Sequence, residues 1–311
     1  MTKPALADYL HLHFLVFIWG FTAILGLLLE PLSAPALVAW RTLLAAGGLG
    51  VVLAARGGAT WAQVRNLPLA KCWPLLATGG IIALHWAAFF GAARLANASV
   101  CLAGMATGSL WTSVLEPLIT RRKIRAVEVV LGGVVLAGLY LIFRFEFDRG
   151  AGLAMAVFSA MLASVFTILN SRFTHQYDAL VISFYEMVGA FIGSLGFLAG
   201  YLALANAPGG WATLVPVGWQ WVWMALLAFV CTVYAYTAAV RLLRKFSAFA
   251  ANLIVNLEPV YGIGLAYLVF GDSERMTAGF YAGTLVILVA VLIYPVLIRR
   301  QPAVAPIEPV P

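Results

Sequence analysis

Ten apolar runs divide the chain: 11–29, 35–55, 73–93, 98–119, 126–143, 151–171, 179–203, 217–240, 247–270 and 277–298. Each approaches the roughly 20 mostly apolar residues that cross a bilayer as an α-helix. Most breaks between them carry residues that stop helices or sit in water: Glu30-Pro31, Arg56-Gly57-Gly58, Arg121-Arg122-Lys123, Asp148-Arg149-Gly150, Pro208-Gly209-Gly210 and Gly271-Asp272. The gap from Arg94 to Asn97 is the shortest and predicts a tight antiparallel hairpin between the third and fourth runs. The first run is long for a signal-peptide core, and Pro35 disfavours cleavage after Leu32-Ser33-Ala34, so it is read as a membrane helix. The pattern predicts an all-α membrane protein of ten transmembrane helices, followed by a Pro-rich, disordered tail over 301–311.

Composition removes the soluble alternatives. The 311 residues are 63% hydrophobic and 10% charged, against roughly 25% charged in an ordinary soluble domain. The surplus apolar side chains need lipid as a partner. A net charge of +7 would suit nucleic acid, but the basic residues occupy the gaps between apolar runs. With the N-terminus in the cytoplasm, 14 Lys and Arg fall on the cytoplasmic side, four (Arg94, Arg144, Arg149, Arg275) on the other, and Arg41 lies within a span. This asymmetry is the positive-inside pattern. It predicts both termini in the cytoplasm and no nucleic-acid partner; the location expected is a bacterial inner (plasma) membrane. Cys72, Cys101 and Cys231 are odd in number and have no paired spacing, so neither a disulfide framework nor a zinc site is expected.

The halves are related to each other. Residues 80–138 lie over 231–289 at an offset of 151, which puts Arg94-Leu95-Ala96-Asn97 on Lys245-Phe246-Ser247-Ala248, His85 on Tyr236, Gly108 on Pro259 and Gly132 on Gly283. Repeats over 1–145 and 146–300 would each hold five spans, an odd number, so the second must be inverted relative to the first. Inverted repeats in transporters place a central cavity and substrate site at their interface, near the midplane.

Polar groups inside a span are expensive and mark a pathway or an internal pair. His85 shares a helix face with Phe89, beside Trp86, on the third span. Thr107 and Trp111 share a face on the fourth, where Gly104 and Gly108 form a ridge of small residues suited to close packing. Glu186 lies on the seventh span, Tyr234 and Tyr236 on the eighth, and Asn252, Asn256 and Glu258 on the ninth; Trp19 is mid-span on the first. These twelve residues are the candidate substrate-binding set. Each has a structural alternative: His85 and the asparagines as hydrogen-bonding glue between helices, the aromatics as packing. Arg41 reads as a structural, snorkelling or paired residue. Pro259 removes one ladder hydrogen bond and clashes with the Val255 carbonyl, exposing polar backbone at depth. Glu116-Pro117 reads as a helix-end feature near Arg121 and Arg122. A Gly-rich phosphate loop with Lys, a His-Glu-x-x-His and a metal-spaced Cys/His cluster are all missing, so no enzyme and no direct ATP coupling is expected.

Taken in order, Ile18-Trp19-Gly20-Phe21, Ala39-Trp40-Arg41-Thr42-Leu43, Leu257-Glu258-Pro259-Val260, Gly271-Asp272-Ser273-Glu274-Arg275 and Gly283 resemble the EamA type of the drug/metabolite transporter superfamily, over roughly 10–298. The first half departs from the pattern at Gly108 and Lys123, where the family carries proline and an acidic residue. The resemblance implies secondary transport, mostly export, of amino acids or other small metabolites by alternating access, without a cofactor. An aromatic substrate would suit the aromatic set. Proton coupling would fall to His85 and Glu258. Multidrug or cation export on the same fold remains open, as does a channel or membrane sensor without alternating access. Monomer and homodimer are equally compatible with the sequence.

Overall fold

The computed structural model describes residues 4–121, 126–204 and 210–298. The tail expected over 301–311, and the basic residues Lys3, Arg122, Lys123, Arg125, Arg299 and Arg300, lie outside them. The described residues are helical throughout, with no strand. The N-terminal half holds α1 (Leu6–Gly20), α2 (Thr22–Leu28), α3 (Ala34–Arg56), α4 (Gly58–Asn66), α5 (Leu69–Leu95), α6 (Ala98–Met105), α7 (Gly108–Thr120) and α8 (Ala126–Phe145). The C-terminal half holds α9 (Gly150–Phe173), α10 (Ala179–Leu204), α11 (Gln220–Ala225), a π-helical stretch (Leu226–Tyr234), α12 (Ala235–Leu242), α13 (Ala248–Val255), α14 (Glu258–Phe270) and α15 (Ala278–Ile298). Joined across their kinks, eight of these units are long and apolar enough to cross a membrane among the described residues. The apolar stretches Val130–Phe145 of α8 and Ala278–Ala290 of α15, at the fifth and tenth expected positions, are shorter.

Helix ends follow local chemistry. The Asn97 side chain accepts from the Val100 amide (2.9 Å) at the start of α6. Ser247 accepts from the Ala250 amide (3.2 Å) at the start of α13. Both cap amides that the helix itself leaves without acceptors. α7 ends at Arg121 with φ of 56°, and α14 at Gly271 with φ of 61°. These features recur 150 positions apart, Asn97 with Ser247 and Arg121 with Gly271. At the same spacing α7 begins at Gly108 and α14 at Glu258.

The central helices approach closely. α5 packs on α10 where Gly79 faces the Glu186 carbonyl and Gly189 faces the Leu76 carbonyl, so neither position has room for a side chain. Such small-residue contacts bring backbones together without help from water. Gly104 of the predicted ridge does the same against Ala156 of α9, whereas a Cβ at Gly108 would meet Asn256 Oδ1 at 3.4 Å and Ser164 Oγ at 4.0 Å. α8 and α15 pack on each other where Gly138 and Gly283 face each other's carbonyls.

Candidate functional site: a chamber between the two halves

Two helix breaks and one π-helical stretch shape the centre of the molecule. α13 stops at Val255 and α14 restarts at Glu258, with Pro259 in its first turn. The break is the one Pro259 predicts, because the ring removes an amide and blocks the carbonyl four residues back. α6 and α7 break equivalently at Ala106 and Thr107, without a proline. In the π-helical stretch the Thr232 hydroxyl donates to the Leu227 carbonyl (2.8 Å), and the Cys231 carbonyl accepts from Trp19 Nε1 (3.0 Å). A π-helix widens the turn and redirects carbonyls, and such stretches cluster at functional sites.

These elements surround a chamber of about 120 Å³ between the helices. Its walls come from both halves: α1, α2, α3, α5 and α6 on one side, and α9, the π-helical stretch, α12, α13 and α14 on the other. Of the twelve residues singled out by sequence, Trp19, His85, Trp86, Phe89, Tyr236, Asn252 and Glu258 line it.

The other five lie elsewhere among the described residues. Thr107 sits at the α6–α7 break, fully buried, and donates to the Gly104 carbonyl (2.8 Å). Asn256 donates to Ser109 Oγ (2.6 Å) and so ties α13 to α7. Trp111 is half-buried behind the wall with no partner for Nε1. The break at Ala106–Thr107 turns α7 so that its polar side meets α13, where Asn252 also reaches Thr112 Oγ1 (2.7 Å). Tyr234 is 44% exposed and pairs with His11 (3.1 Å); two residues from Tyr236, it falls on the opposite side of the helix. Glu186 lies one layer back from the chamber. Its Oε2 accepts from the Tyr236 hydroxyl (2.8 Å), which also accepts from Asn170 Nδ2 (2.8 Å), and both of these partners line the chamber.

His85 is held by a reciprocal set of bonds. Nδ1 lies 2.9 Å from the Ser159 carbonyl and 2.8 Å from its hydroxyl, which itself donates to the His85 carbonyl (2.9 Å). The Ser159 carbonyl can only accept, so in the neutral ring Nδ1 carries the hydrogen and Nε2 is left as an acceptor. The ring packs edge-on against Phe166 at 5.3 Å.

Arg41 was expected to be structural, yet it lines the chamber. The guanidinium lies over the Trp86 ring, 3.8 Å from its centroid, and Nε donates to Thr232 Oγ1 (2.8 Å). Its depth in the second apolar run was the available signal: a guanidinium this far into a span must find water or a partner. Asn170, Thr22, Thr167 and Phe166 are further lining residues that sequence reasoning passed over. Asn170 follows a long apolar run as its first amide, and hydropathy alone gave no reason to choose it. No group of three or more His, Cys, Asp or Glu is placed to hold a metal among the described residues.

The described residues form an all-helical fold with eight helices long and apolar enough to cross a membrane. Residues 150–294 match the sequence profile of the EamA-like transporter family. The C-terminal half of the chain thus carries an EamA-like transporter domain, of the drug/metabolite transporter superfamily, a family of membrane transporters and not of enzymes. No curated protein matches the sequence. A solved structure described as "Crystal structure of protein" superposes with a TM-score of 0.68 at 16% identity, over 94% of this chain and 99% of its own length. That likeness concerns the fold.

Proposed function

We propose that this protein is a secondary transporter that exports a small organic metabolite, of the amino-acid or a related class, by alternating access. In this reading it has ten spans arranged as two inverted five-helix repeats, both termini lie in the cytoplasm, and the membrane is a bacterial inner membrane. The carrying observation is the chamber itself, walled by both halves and lined by seven of the residues chosen from sequence. The matched helix ends 150 positions apart support the repeat. The aromatic wall of Trp19, Trp86, Phe89, Phe166 and Tyr236 suits a flat apolar moiety. No cofactor is needed for this cycle. Proton coupling would use His85 and Glu258, both on the chamber wall.

Flux of radiolabelled L-tryptophan into proteoliposomes tests the reading. Saturable uptake with trans-stimulation is expected, and large single-channel currents in its place would make the protein a channel. His85→Ala and Glu258→Gln should each lower flux at least tenfold, and unchanged flux in both would remove these residues from the site. Equal flux with and without a pH gradient would eliminate the coupling.

A further inference from the structure

Arg41 is 2% exposed and deep within α3. A buried guanidinium needs an opposite charge or several acceptors, because dehydrating a cation without them is strongly unfavourable. Arginine carries five N–H donors in a planar fork suited to carboxylates. Here only Nε is used, by Thr232. Among the described residues no carboxylate lies within ion-pair distance of Arg41, and neither Nη1 nor Nη2 has a protein acceptor. Neither nitrogen is sealed from space, since buried atoms without a partner are found elsewhere in the molecule but not on this side chain. The guanidinium is nonetheless fixed in place, face-on over Trp86 and tied to the π-helical stretch. The fork is thus pre-oriented on the chamber wall with its carboxylate-binding edge unfilled.

Glu258 is the chamber's carboxylate. It stands at the first position of α14, 5% exposed, in electrostatic contact with Arg41 but not in an ion pair with it. Arg41 and Glu258 thus face one chamber without forming an ion pair, and aromatic rings flank them.

We propose that Arg41 anchors the carboxylate of a zwitterionic amino acid and Glu258 receives its ammonium group, leaving the side chain against the aromatic wall. The proposal rests on the transport reading and sharpens it: the substrate is a dipolar amino acid, not a simple cation or a simple acid. A bidentate Arg–carboxylate contact is directional as well as strong, and a site built to bind a polar group rejects analogues that lack it.

The probes are L-tryptophan, tryptamine (which lacks the carboxylate) and indole-3-propionate (which lacks the ammonium), each titrated calorimetrically into purified full-length protein. The native protein should bind L-tryptophan at least tenfold more tightly than either analogue. Arg41→Gln should weaken L-tryptophan to the level of tryptamine and leave tryptamine unchanged, with Arg41→Lys intermediate. Glu258→Gln should remove the preference over indole-3-propionate. Melting curves of each variant establish that it is folded, and the analogue comparison on the native protein stands even where a variant fails to fold. Equal binding of tryptamine and L-tryptophan to native protein, binding of none of the three, or equal losses of all three ligands in a folded Arg41→Gln would overturn the assignment. Discrimination as expected but without saturable flux would leave the anchor in place and defeat the transport reading instead.

Discussion

The two ends of the chamber are closed in different ways. At the end bearing Glu30, Arg94 and Glu274, buried polar bonds join the halves. The Glu274 carboxylate, 2% exposed, accepts from the Ala98 (3.0 Å) and Ser99 (2.9 Å) amides at the start of α6. Gln220 Nε2 donates to the Leu29 (3.2 Å) and Glu30 (2.9 Å) carbonyls, the Ser33 amide to the Thr213 carbonyl (2.8 Å), and Trp40 Nε1 to the Leu214 carbonyl (2.9 Å). At the opposite end the halves meet through the half-buried pair Lys245–Asp8 (2.7 Å) and the Tyr185 hydroxyl, which donates to the Val64 carbonyl (2.8 Å). Apolar residues complete that closure, with Leu12 from one half and Leu242 and Leu243 from the other lining the chamber and belonging to one cluster.

Fully buried charge-assisted bonds and a half-buried ion pair differ in what breaking them entails. A carboxylate that satisfies two helix-end amides contributes about 1.5–3 kcal/mol per bond, aided by the helix dipole. An ion pair that water still reaches contributes less, because water solvates its partners when it breaks. The Glu274 end is therefore the bolted one and the Leu12 end the readily opened one. Under the proposed transport reading, with the N-terminus in the cytoplasm, the chamber would be shut toward the outside and reached from within.

Substitutions at the two ends should separate these roles. The largest effect is expected for Glu274→Ala, which leaves the buried α6 amides without an acceptor. It should destabilise the protein by about 3 kcal/mol, visible as a fall in melting temperature, and should let thiol reagents reach the chamber from the bolted side. If the bolted side stays closed in a folded Glu274→Ala variant, the bolt is not what shuts it. Leu12→Ala comes next, at about 2 kcal/mol by chemical denaturation in detergent, with no change in which side reaches the chamber. Gln220→Leu should lower stability by about 1 kcal/mol and speed exchange of substrate across the bolted side in vesicle assays. Lys245→Ala is the smallest: its melting curve should overlay that of the native protein, and a shift as large as that of Glu274→Ala would erase the distinction between the ends.

Much of this fold is written in the hydropathy pattern. Runs of apolar residues between charged breaks anticipated the helices, eight of them long and apolar enough to cross a membrane among the described residues, because lipid tolerates only helices whose backbone groups are satisfied internally. Pro259 announced the break between α13 and α14, since its ring forbids the ladder bond. The equivalent break at Thr107 had no such marker, and that is why Trp111 was expected on the chamber wall and is found behind it. The π-helical stretch was equally hidden: Leu226 to Tyr234 reads as ordinary apolar helix, and only the packed structure reveals the turn that positions Thr232 for Arg41. Glu186 was recognisable as a buried carboxylate, but its place one layer back depends on Tyr236 and Asn170 meeting between helices far apart in sequence.

Ala239 lines the chamber toward the Leu12 end, which makes it a direct reporter of access. The decisive measurement is labelling of Ala239→Cys, with Cys72, Cys101 and Cys231 replaced by serine, by a membrane-impermeant maleimide in sealed right-side-out and inside-out vesicles. The account predicts modification only when the Asp8–Lys245 surface faces the reagent; modification confined to vesicles that present the Glu274 surface, or equal modification in both, would contradict it.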